Sequence, residues 1–153
     1  MVGKELGRIR RTEMTSRIAV PKSVLRFMDK LAIASPKSIV IHEYVSRWEE
    51  KTKKLHISRW DLKDPIAWAH ELSHAYYGHV DEPEPSEAVH AKQEVDAWLL
   101  VVRHLPWLTR NRAYQIAEDR IAEHLATLDR AANGKKTPHE IYTMAIEMVE
   151  RIR

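Results

Sequence analysis

The chain has no cysteine, so no disulfide framework is available and any metal must be held by histidines and carboxylates. No apolar run approaches the roughly eighteen residues of a membrane span, and residues 1–11 lack the apolar stretch of a secretory signal. A cytoplasmic protein with no membrane partner is expected. Glycine is scarce at four residues, and two of these, Gly78 and Gly134, fall where helices should stop. Neither needs a functional reading. Only two Asn and two Gln stand beside many Arg and Glu, a composition that leans toward a heat-adapted source. Also missing is a basic patch interleaved with aromatics, the pattern that stacks single-stranded nucleic acid.

What is present fits one folded domain over residues 1–153. The chain is 31% charged and 44% hydrophobic, long enough to bury a core. The formal charge is +3, and eight of the first thirty residues are Lys or Arg. Residues 1–20 read as a basic arm, with Lys4, Arg8, Arg10, Arg11 and Arg17 against only Glu5 and Glu13. A solvated tail is the plain reading. Nucleic acid or an acidic partner is the expectation if the arm binds anything.

Val24, Leu25, Met28, Leu31 and Ala32 make a helical stripe over Ser23–Ala34, closed by Pro36. Lys37–Glu43 is β-branched and reads as a strand. Residues 46–54 are polar and read as a turn or hairpin tip, and Lys54–Ser58 alternates as a second strand. The rest reads as helical. Asp64-Pro65 opens a helix stopped by Gly78, Ser86 caps the next to about His104, and a third spans Thr109–Ala132. Thr137-Pro138-His139-Glu140 has the form of a capping box for the last helix.

The chemistry concentrates in His70-Glu71-Leu72-Ser73-His74, an HExxH pattern inside the helix opened by Asp64. Residues four apart project from one helical face, so both imidazoles can hold one zinc. Glu71, beside the first ligand, is placed to act as general base on a water. Two imidazoles are too few for a catalytic site, so a third ligand is expected. An HExxHxxGxxH continuation fails, because Tyr77 and Val80 occupy the Gly and His places. An acid on a second helix about twenty residues downstream is the gluzincin arrangement, and Glu94 lies twenty after His74.

Ala91, Glu94, Trp98, Val101 and Leu105 share a stripe, and a carboxylate there is costly unless it pairs with a cation. A buried ion pair with an arginine such as Arg120 is the competing explanation. Glu87 is a turn too early and Asp96 is off the stripe. Candidates for stabilising the oxyanion are Tyr76, Tyr77, His79, His104, Tyr114 and His124, with Tyr76 and Tyr77 read as packing residues and His124 as a core histidine. The tryptophans at 48, 60, 68, 98 and 107 are read as core and cleft wall.

HELSHAYYGHV followed by a connector and KQEVDAWLLVV resembles the ImmA/IrrE-type metallopeptidases and related minimal gluzincins. The second motif of those families, E-x-x-A with a bulky run, is Glu94-Val-Asp-Ala97-Trp98-Leu99-Leu100 here. The likeness covers about residues 54–105, and Ser73 stands where those families often have glycine. The resemblance implies a small α+β, zincin-like fold, a short antiparallel sheet followed by a predominantly helical part. It implies one zinc per chain and cleavage of a peptide or protein substrate, with Lys54–Ser58 as the edge strand that receives it. The rival is a zinc-containing regulatory or nucleic-acid-associated protein that hydrolyses nothing.

Overall fold

The computed structural model describes residues 18–81, 84–104 and 110–152. Helix α1 (Lys22–Leu31) buries Val24, Phe27 and Met28, one face at i, i+3 and i+4. Phe27 completes this stripe where the sequence suggested Leu25, which is exposed. The helix ends at Ala32, whose left-handed φ of 54° lets the Ile33 N–H reach the Met28 carbonyl at 2.9 Å.

Three strands follow: β1 (Ser38–His42), β2 (Arg47–Glu49) and β3 (Lys54–Ser58). The sheet order is β1-β3-β2, with β1 parallel to β3 and β2 antiparallel to it. The sheet is therefore mixed where the sequence suggested an antiparallel pair. Parallel neighbours need a return path between them. Here the path is β2, which lies within the polar segment read as a hairpin tip. Residues 50–53 turn the chain, with Lys53 at a φ of 56°, and deliver β3 between its neighbours. Lys54–Ser58 is thus the central strand, and the edges are β1 and β2. Register places Ile39, Leu55, Ile57 and Trp48 on one apolar face and Val40, His42, His56, Arg47 and Glu49 on the other.

Helix α2 (Pro65–Tyr77) packs on β2, β3 and α1. Its start follows the expected chemistry: Asp64 Oδ1 accepts from the Ile66 N–H at 3.0 Å, with Pro65 in the first turn. Gly78, at a φ of 66°, ends it. Between these caps Ile66, Trp68, Ala69, His70, Glu71, Leu72, Ser73 and His74 are all buried. Burial on every side distinguishes α2 from an amphipathic surface helix.

By contacts the chain groups into two compact units, Met1–Glu82 and Pro83–Arg153. The elements above belong to the first. The second holds α3 (Glu87–Arg103), α4 (Arg110–Ala131) and α5 (Pro138–Ile152). Helix α4 packs on both of its neighbours, using Ala113, Ala117 and Ile121 at intervals of four. Ser86 Oγ accepts from the Val89 N–H at 3.2 Å. Thr137 and Glu140 close the capping box reciprocally, at 2.8 and 3.2 Å. Asn133 takes the left-handed turn after α4, and a Cβ at Gly134 would collide with the Asp129 carboxylate.

The architecture is α+β, a short sheet followed by helices, and among the described residues no helix is long and apolar enough to cross a membrane. Trp48, Trp68 and Trp98 are core residues, but Trp60 is 77% exposed and is no core or cleft-wall residue. It lies in the turn after β3. Trp107 and Leu105 lie outside the described residues, as does residues 1–17 of the basic arm.

Candidate metal centre

Ser73, fully buried in mid-helix, donates its hydroxyl to the Ala69 carbonyl at 2.7 Å. Trp68 Nε1–H donates to the Leu62 carbonyl at 3.0 Å, tying the helix to the loop before it. These contacts satisfy the Ser73 hydroxyl and the Trp68 indole within a helix whose residues 68–74 are all buried.

One donor atom each from His70, Glu71 and His74 lie within 4.8 Å of one another, and all three residues are buried. The two imidazoles meet edge to face with centroids 4.8 Å apart, and His70 Nε2 is 4.0 Å from Glu71 Oε2. Buried imidazoles and a carboxylate, with no thiolate, fit a borderline divalent cation such as zinc. The group can hold a metal ion.

His79 extends the cluster. Its Nδ1 is 2.9 Å from His74 Nδ1, its N–H donates to the His74 carbonyl at 3.0 Å, and its ring stacks on Tyr77. In the sequence alone His79 stands only among the oxyanion candidates. The missed signal was Gly78: a left-handed residue after a helix folds the next residue back over the last turn.

Glu94 belongs to the second unit, on α3 beside buried Ala91, Trp98 and Val101. Its own side chain is 15% exposed, and its Oε1 is 3.7 Å from His124 Nε2 on α4. His124 is thus a cation-capable neighbour of Glu94, and Arg120 meets Glu123 at 3.3 Å. Burial pushes the His124 pKa below its ordinary value, partly offset by the charges of Glu94 and Glu123. Of the remaining candidates, Tyr76 and Tyr77 are exposed, and Asp96 pairs with Lys92 at 2.8 Å. No protein-family model matches the chain, and neither a curated protein nor a solved structure is significantly similar to it.

Proposed function

We propose that the protein is a zinc-dependent metallopeptidase of the minimal gluzincin type. The observation that supports this best is the gathering of His70, Glu71 and His74 on one capped, buried helix. In this reading His70 and His74 are metal ligands. His79 holds His74 through Nδ1, leaving His74 Nε2 for the ion. Glu94 is assigned as the third ligand on its spacing and motif in the sequence. When bound, zinc supplies Lewis acidity, acidifying water and polarising a carbonyl.

Glu71 accepts the proton of the attacking water at a carboxylate oxygen and returns it to the leaving amine nitrogen. Its role explains a carboxylate held beside the imidazoles, which a structural site of four ligands would not need. An extended peptide would add to a free sheet edge. With β3 central, that edge is β1 or β2.

The test is metal content and peptide hydrolysis of Glu71→Gln and Glu94→Ala beside the native chain. Glu71→Gln should keep one zinc and lose hydrolysis by about a hundredfold or more. Glu94→Ala should lose zinc to a competing chelator. Equal turnover by native and Glu71→Gln protein would overturn the mechanism. Zinc-loaded native protein that cleaves no member of a peptide library would favour the non-catalytic zinc protein.

A further inference from the structure

The polar face of the sheet carries a second histidine cluster. His42 and His56 lie on this face by register, since Val40 is opposite His56 and His42 opposite Ser58. His42 Nε2 and His56 Nδ1 are 2.5 Å apart, with ring centroids 4.7 Å apart and planes tilted by 50°. The other nitrogen of His56, Nε2, is 2.8 Å from Glu49 Oε1. Each of the three strands contributes one of these residues, and His56 is only 7% exposed.

Proton bookkeeping follows from the geometry. The Glu49 carboxylate accepts only, so His56 Nε2 carries the proton. A neutral His56 therefore presents a bare Nδ1 lone pair toward His42. A carboxylate on the outer nitrogen and a lone pair on the inner one is the arrangement that orients metal-ligating histidines.

We propose that His42 Nε2 and His56 Nδ1 form a second site for a borderline divalent cation, separate from the α2 cluster, with Glu49 as its positioning residue and water filling the other coordination positions. Metal–nitrogen bonds of about 2.0–2.1 Å at tetrahedral angles set the two nitrogens roughly 3.3 Å apart. His42 ends an edge strand and is half-buried, and binding requires its ring to swing outward by that increment. Binding moves the shared proton of His42 from Nε2 to Nδ1, and no proton need be released. Arg47 is the opposing charge, 3.7 Å from Glu49 Oε1, but its guanidinium is engaged by Asp81 at 3.0 Å. With two protein donors the site should bind more weakly than a three-ligand centre.

The probe is cobalt(II), titrated at pH 7.5 into a His70→Ala/His74→Ala chain so that the α2 cluster does not contribute. One ion per chain should still bind, and adding His42→Ala should abolish it. Adding Glu49→Gln in its place should weaken it about 10- to 100-fold. No cobalt bound by the His70→Ala/His74→Ala chain, or residual binding indifferent to His42→Ala, would overturn the proposal. A readout free of substitution uses the unmutated chain preloaded with one equivalent of zinc. Further cobalt should then shift and broaden the His42 and His56 ring resonances, and unperturbed resonances would overturn the assignment. Neither readout depends on hydrolysis, so loss of this site and loss of the peptidase reading are separately visible.

Discussion

At the scale of single residues, His79 shows how a side chain outside a motif becomes part of it. The HExxH pair was legible in the sequence because its spacing is local and its helix is bounded by Asp64-Pro65 and Gly78. His79 was not, because its contact with His74 arises only when Gly78 reverses the chain. His56 was hidden differently: alternation in Lys54–Ser58 identified the strand, but not that its polar face would bring His56 to His42. His79→Ala should lower zinc affinity about tenfold or more while leaving the helical content unchanged. Chelator competition followed by circular dichroism measures both. An unchanged zinc affinity would mean that the His74 ring is oriented by other contacts.

At the scale of elements, the helices from α2 onward were legible within a residue or two because caps such as Asp64, Ser86 and Thr137 are chemical signals that operate locally. Helix α1, whose Pro21 makes no side-chain cap, ends at Leu31 and not at the expected Ala34. The sheet was not legible. Arg47-Trp48-Glu49 is too short and too charged to announce a strand, and its identity depends on Trp48 lying opposite Leu55. Two predictions belong here. Gly78→Ala adds a Cβ whose nearest neighbour is Glu50 Oε2 at 3.9 Å. The cost is thus conformational, about 1 kcal/mol for a left-handed alanine, measurable by denaturant unfolding. Asp64→Ala removes the other cap of α2 for about 1 kcal/mol.

A third prediction concerns the turn between β2 and β3. Burial pushes the pKa of Glu50 up, but hydrogen bonds from Lys53 and from Trp48 Nε1–H outweigh this and leave it below 4.5. A depressed carboxylate stabilises the fold above its unfolded pKa, and that contribution disappears as pH falls through the folded value. The melting temperature of Glu50→Gln should therefore lie below the native one at pH 7. The gap should narrow on acidification below about 4.5; a gap independent of pH would remove ionisation from the account.

At the scale of the whole molecule, Ile18, within the stretch read as a basic arm, is buried. Truncation through residue 18 removes a core side chain and should therefore lower stability. Ile18→Ala alone should cost about 2 kcal/mol. Removing residues 1–17 takes away Lys4, Arg8, Arg10, Arg11 and Arg17. It should lower the salt concentration at which the protein elutes from immobilised DNA, with a shallower salt dependence. Unchanged elution would leave the arm without a nucleic-acid role. The sheet order has a kinetic consequence as well. β3 is the last strand in sequence yet central in space, so the nearby β2 should form a hairpin with it first. β1, pairing with β3 across sixteen residues from Ser38 to Lys54, then docks onto the finished hairpin. Loop closure makes that parallel step the slower one, and until it occurs the apolar side chains of Leu55 and Ile57 lack their β1 neighbours. The turn at Lys53 therefore sets the order of assembly in the first unit, and weakening it should slow folding more than it speeds unfolding.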